Sequence, residues 1–210
     1  VAAFGSRLDI NQPTAHLVVD IGAGSTDMAI ISMNGIVVSK RLKIAGNYLN
    51  NEIIKGVRDE MKLNIGEPTA EEIKIGVGTT MPLVDRLEMV IRGRDVINGL
   101  PRELGIKDSQ VRFWIGKPMK LLMESLKDLI ESAPAELVGD IYKNGIFFCG
   151  GGSLLRGVDA IAEKEIGVPI TIVEEPLTCV ARGTGLIIEK FAEHEHLLNT
   201  FSNVQLGGKN

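Results

Sequence analysis

The segment Asp20-Ile21-Gly22-Ala23-Gly24-Ser25-Thr26-Asp27 places a carboxylate just before a run of main-chain amides that includes two glycines and two hydroxyl side chains. Glycine lets a backbone approach a phosphate closely, and successive N–H groups in a tight turn make an anion-binding concavity. A carboxylate beside such a nest would repel bare phosphate. Its presence points to a hydrated Mg²⁺ between the two, because that ion keeps several waters and bridges one or two carboxylates to phosphate oxygens. The candidate ligand is a Mg-nucleotide, with Asp20 reaching the metal through water; a DxGxG standing alone is equally a plain turn. A second loop, Gly150-Gly151-Gly152-Ser153, follows the apolar run Ile146 to Cys149. Open α/β sheets bind ligands at such strand ends, though three glycines also serve a sharp turn. Glu71 and Lys74 share one face of a helical pattern, where they would grip a ribose hydroxyl and a base edge or form an ordinary solvated pair. His194 and His196 lie in a polar tail, and Cys149 and Cys179 form no CxxC, so neither pair carries a metal or redox pattern.

The elements that hold these groups follow from periodicity. Val1 to Gly5 reads as the last turn of a helix. His16 to Val19 is a strand leading into the first loop, and Met28 to Met33, Asn34-Gly35 and Ile36 to Ile44 read as a hairpin, giving an antiparallel meander. Leu49, Ile53, Ile54, Val57 and Met61 have helical spacing within Tyr48 to Met61. Thr69, with Glu72 three residues on, predicts a capping box for the next helix. Leu87 to Ile106 reads as short strands with turns at Gly93-Arg94-Asp95 and Asn98-Gly99-Leu100-Pro101. Lys117-Pro118 is expected to start a third helix, with Met119, Leu122, Met123, Leu126, Leu129 and Ile130 on its apolar face, and Ala133 to Glu136 a fourth. After the second loop come a helix to about Lys164, a strand from Pro169 to Val173 and a last helix from Leu177 towards Phe191. Glu193 to Asn210 is polar and expected to be loose.

A chain of 210 residues with 44% hydrophobic and 24% charged content is long enough for one large domain or two small ones, and it excludes disordered and disulfide-stapled classes. With 23 basic against 27 acidic residues, it lacks the excess positive charge that releases counterions from a phosphate backbone, which argues against nucleic acid. No apolar run approaches the ~18 residues of a membrane span, and no signal-peptide pattern opens the chain, so the expected compartment is the cytoplasm.

Strand, DxGxGST, hairpin, insertion, strand, GGG and helix in that order resemble the second half of the actin/Hsp70/sugar-kinase superfamily. Within it the chain is similar to the MreB family of bacterial actin-like cell-shape proteins. The stretches that carry this are Val18 to Thr26, Gly35 to Lys40, Gly66 to Ile75, Arg92 to Asp95 and Glu175 to Gly185, and the resemblance covers about residues 1–190. It implies an α/β, ribonuclease H-like actin-type domain, a mixed sheet with an antiparallel meander plus helices, carrying an inserted small α+β subdomain. Residues 1–15 would end a first-half helix and linker, 16–45 and 108–190 form the larger subdomain, 46–107 the smaller, and 191–210 a loose tail.

The same resemblance implies an ATP-binding filament protein with Mg²⁺. Asp20 would lie near the metal, and Gly22, Gly24, Ser25 and Thr26 at the β- and γ-phosphates. Glu71 and Lys74 would flank the adenosine, with Gly150, Gly151, Gly152 and Leu154 on its base side. Implied partners are a second copy in a head-to-tail filament or a full-length actin-like homologue, together with membrane-associated cell-shape proteins at the inner face of the membrane. Ala23 replaces a family glycine, and Asn47 and Asn50 replace acidic residues, which removes negative charge near the cleft. The family's first half, with its own phosphate loop and the glutamate that positions the attacking water, has no counterpart in these residues, and no second DxGxx(T/S) occurs. Loss of two charge-assisted phosphate bonds at ~1.5–3 kcal/mol each would weaken ATP binding by ~10²–10⁴-fold. An apolar face left without its covering helices should seek a partner. Alternatives are a half-actin module that caps or modulates filaments and a small-molecule kinase of the same superfamily, although residues 46–107 resemble no acceptor site.

Overall fold

The structure is a computed structural model and describes residues 1–189. In chain order its elements are α1 (Ala2–Gly5), β1 (His16–Ile21), β2 (Thr26–Ser32), β3 (Gly35–Leu42), α2 (Gly46–Met61), β4 (Leu63–Asn64), α3 (Glu67–Val77), β5 (Glu88–Asp95), β6 (Pro101–Lys107), α4 (Asp108–Glu131), α5 (Ala135–Asn144), β7 (Ile146–Cys149), a 3-10 turn (Gly151–Leu154), α6 (Val158–Ile166), β8 (Ile170–Ile172) and α7 (Cys179–Glu189). The main sheet runs β3-β2-β1-β7-β8, with an antiparallel meander on one side and parallel β1, β7 and β8 on the other. A smaller antiparallel sheet, β4-β5-β6, lies wholly within residues 63–107.

Alternation along β1 decides what each face of the main sheet meets. Leu17, Val19 and Ile21 join Met119, Leu122 and Leu126 of α4 in the principal core, while Val18 packs with Ala3, Cys149 and Cys179 on the side of α1 and α7. The principal core does not stop at the small sheet: Ile53, Ile73, Ile91 and Ile106 belong to it together with Leu17 and Ile30.

Four local expectations are corrected. The hairpin turn centres on Met33 and Asn34, both with positive φ, and Gly35 already pairs with Ser32 as the first residue of β3. Helix α3 starts at Glu67 with Pro68 in its first turn, where the missing N–H is harmless, so Thr69 lies inside the helix and caps nothing. Gly93 is in β5 and not in a turn; a Cβ there would stand 2.5 Å from the Asn64 carbonyl, so the glycine allows β4 to approach. Helix α4 begins at Asp108 and passes through Pro118. An interior proline costs about 3 kcal/mol, but the turns before it bury Val111, Trp114 and Ile115, each worth about 1.5–3 kcal/mol. The expected extension of the last helix to Phe191, the loose tail and the histidines His194 and His196 fall outside the described residues. No described helix is long and apolar enough to cross a membrane.

Candidate functional site

Asp20, on the last turn of the pleat of β1, stands opposite Asp27 across β2 and beside Cys149 across β7. The first glycine loop leaves the carboxyl end of β1, and the second leaves the carboxyl end of β7. The second packs on the end of β1. Gly150 has φ +79°, and a Cβ built on it would lie 2.4 Å from Asp20 Oδ1 and 2.5 Å from the Ile21 carbonyl oxygen. On Gly152 it would lie 2.2 Å from Ile21 Cγ2. Only residues without side chains let the second loop close on the end of β1. The Ser153 hydroxyl, fully buried, donates to the Gly150 carbonyl at 2.7 Å, and the Gly150 N–H donates to Pro176 O at 3.0 Å, which pins the second loop.

The first loop is held from within and from the side. The Gly22 N–H donates to Ser25 O at 3.0 Å, while Gly46 and Asn47, at the start of α2, donate to the carbonyls of Gly22 and Ala23 at 3.0 and 2.8 Å. Among the described residues the amides of Ala23, Gly24 and Ser25 donate to nothing, so the nest consists of these three consecutive N–H groups. The expected hydroxyl donors are used elsewhere. Thr26 is fully buried and its Oγ1 donates to Ile44 O at 2.6 Å, whereas the Ser25 hydroxyl donates to Asp27 at 2.8 Å. Thr26 therefore shapes the loop from inside the core and does not face a ligand. Ala23 was missed as a donor because an amide leaves no mark on residue type.

Of the Glu71–Lys74 pair the lysine is withdrawn from water, while the Glu71 side chain stays 45% exposed. Lys74 Nζ donates to Glu71 Oε2 at 2.7 Å and to Gly46 O at 3.3 Å, and its side chain is only 12% exposed. Asn50 Nδ2 donates to the same carboxylate oxygen at 2.8 Å. Burial works to raise the Glu71 pKa, but the hydrogen bonds from Lys74 and Asn50 and the lysine charge outweigh it and hold the carboxyl below its usual range. Asn50 Oδ1 is buried without a hydrogen-bond partner, a spot suited to a donor. Since α2 docks on the first loop and Lys74 on Gly46, this polar cluster is tied to the glycine loops. Leu154, half exposed, and Leu177, whose Cδ2 would stand 3.1 Å from a Cβ on Gly151, give the second loop an apolar rim. Leu177 lies in the Glu175 to Gly185 stretch that carries the resemblance, but nothing local assigned it to the site.

The donor set fits a hydrated Mg²⁺. Burial first, and the Asp27 charge second, push the Asp20 pKa up, and among the described residues no donor reaches its carboxylate, so a cation would relieve both effects. No cluster of three or more His, Cys, Asp or Glu side chains exists among the described residues. An open cavity of about 540 Å³ touches Asp20 and Asp27 but lies on the α1 side of the sheet, lined by Val18, Ala29 and Ile31 and by neither glycine loop, so it is not the proposed nucleotide site. Cys149 and Cys179 are buried and free, and burial foremost drives the Cys149 thiol far up, which leaves it unreactive.

The Asp20 shift has a definite sign. A carboxyl whose folded pKa is raised destabilises the fold once ionised, so its penalty is absent below its ordinary value of 3.8 and is complete once pH has risen through the folded value. Asp20→Asn should therefore match the wild type in urea midpoint at acid pH and exceed it near neutrality. Equal midpoints at every pH would show that Asp20 is not strained by burial.

Residues 1–196 match the MreB/Mbl protein family. The chain is 42% identical over 189 residues to the cell shape-determining protein Mbl of Bacillus subtilis (strain 168), covering 90% of this chain and 57% of that protein. It is 37% identical over 193 residues to the cell shape-determining protein MreB of Escherichia coli (strain K12), covering 92% and 56%. The crystal structure of MreB5 of Spiroplasma citri bound to AMPPNP superposes with a TM-score of 0.89 at 37% identity, over 93% of this chain and 59% of that one. A MamK double helical filament, with a TM-score of 0.73 at 23% identity, shares the fold. The chain thus spans a little over half the length of these relatives. With its meander, its paired glycine loops and these matches in agreement, the chain belongs to the MreB/Mbl family of actin-like proteins.

Proposed function

We propose that the chain is the second half of an ATP-dependent, actin-like filament subunit that shapes the cell. The observation that supports this reading most is the close packing of Gly150 on Asp20 at the end of β1, next to the strand end from which the first glycine loop departs. Residues 16–45 and 108–190 act as the larger subdomain and 46–107 as the smaller, a division supported by the separate sheet β4-β5-β6. The phosphates of ATP lie against the amides of Ala23, Gly24 and Ser25, with Gly22 and Thr26 shaping that loop. Asp20 holds Mg²⁺ through water, and the bound ion would neutralise charge on the phosphate oxygens. Glu71 and Lys74 take one side of the nucleoside, and Gly150, Gly151, Gly152 and Leu154 the other. The AMPPNP bound to the 37% identical MreB5 supports an adenine nucleotide, and the names of the Mbl and MreB relatives support a cell-shape role. Copies join head to tail, by a contact that does not close a ring, in the cytoplasm at the inner face of the membrane beside membrane-associated cell-shape proteins.

Calorimetric titration with ATP, with and without Mg²⁺, tests this directly, alongside pelleting and negative-stain microscopy. Weak binding that strengthens with Mg²⁺ and is lost in Asp20→Asn is expected, since the interactions of a first half are not supplied by these residues. Binding indifferent to both changes would overturn the reading. The alternative is a half-subunit that caps or modulates the filaments of a longer homologue. Shortening of a full-length relative's filaments, with none formed by the chain alone, would select it.

A further inference from the structure

The second glycine loop continues through Leu155, Arg156 and Gly157, and this link fastens it to the far end of α3. Arg156 Nη1 donates to the Ile75 carbonyl at 2.7 Å, with Gly78 O at 3.4 Å. The Arg156 carbonyl accepts from Thr80 N–H at 2.9 Å and from the Thr79 and Thr80 hydroxyls at 3.3 and 3.2 Å. Thr79 and Arg156 also form an isolated parallel bridge. Ile75 supplies one of the last four carbonyls of α3, which have no partner within a helix, and a cation there meets the negative end of the helix dipole. Gly157 has φ +77°, and a Cβ on it would stand 3.0 Å from Thr80 Oγ1, so the link is shaped to lie against Thr80 and Met81.

Helix α3 is also the element that carries Glu71 and Lys74. Lys74 reaches Gly46, and the Gly46 amide holds Gly22. The contacts therefore close a ring: first glycine loop, α2, α3, Arg156, second glycine loop, and back to Asp20 through Gly150. Arg156 is exposed, so its side chain contributes little to the core, yet it spans the joint between α3 and the second loop.

We propose that Arg156 is a positioning residue that fixes how closely α3 stands to the second glycine loop and thereby sets the width of the nucleoside end of the cleft. This rests on the nucleotide reading above. The guanidinium suits the task because its planar fork offers several donors at fixed angles, whereas lysine offers a single mobile charge.

The test compares the wild-type chain with Arg156→Met and Arg156→Lys, titrated with ATP and with inorganic tripolyphosphate in the presence of Mg²⁺. Amide hydrogen exchange across α3 is followed without ligand. Arg156→Met should weaken ATP binding about tenfold while tripolyphosphate binding stays within about twofold, with Arg156→Lys in between. Exchange at the carboxyl end of α3 should rise by roughly fivefold or more while β1 is unchanged. Equal losses for both ligands, or undiminished ATP binding, would overturn the proposal. A wild-type chain that binds neither ligand defeats the nucleotide reading instead, and exchange then decides alone: a rise confined to α3 upholds the positioning role, and unchanged exchange overturns it.

Discussion

Gly150→Ala is expected to lower stability by roughly 3–5 kcal/mol and to abolish nucleotide binding, an effect in the upper tail for a single methyl group. Two penalties combine. Gly150 has φ +79° and ψ 165°, a region open essentially only to glycine, where an L-residue costs about 1–3 kcal/mol, and the new Cβ would sit 2.4 Å from Asp20 Oδ1 and 2.5 Å from the Ile21 carbonyl oxygen. The second contact is with backbone, so relief requires β7 to move away from β1, breaking the pairing of Asp20 with Cys149. Urea unfolding would measure the loss. Gly139→Ala is the control: it lies in α5, meets nothing within 4 Å, and should gain about 0.5–1 kcal/mol from helix propensity. A loss below about 1 kcal/mol at Gly150 would mean that the second loop does not pack on the end of β1.

Gly56→Ala should lower stability by roughly 2–3 kcal/mol, the range for overpacking a core. Gly56 lies where α2 crosses α4, and a Cβ there would be 2.1 to 2.5 Å from three atoms of the Trp114 indole. The ring has little freedom to retreat because its Nε1 donates to Glu60 Oε1 at 2.8 Å, back on α2. Either that bond breaks or the helices part. Trp114 is the sole tryptophan in the chain, so its fluorescence reports the outcome without labelling. An unchanged spectrum with unchanged stability would contradict the close crossing.

Much of the frame was legible because strand periodicity and glycine loops are local signals. Ile146–Cys149 was readable residue for residue, and the DxGxG and GGG segments fall where two parallel strands end. What escaped is non-local. Pro118 reads as a helix start until the burial of Val111, Trp114 and Ile115 is known, and Gly93 reads as a turn until β4 is seen against it. Thr26 reads as a phosphate donor in a GST run, but its hydroxyl is directed by a carbonyl eighteen residues away. Asn50 reads as lost charge, whereas the fold makes it a donor to Glu71. Each of these depends on a partner that sequence order does not reveal.

The absence of a seam in the core between the two sheets governs how the molecule comes apart. Ile91 in β5 and Leu17 in β1 share one apolar cluster, so melting either sheet strips the other of cover. Heat should disrupt both together in a single calorimetric peak, with no half-molten species in which the insert survives alone.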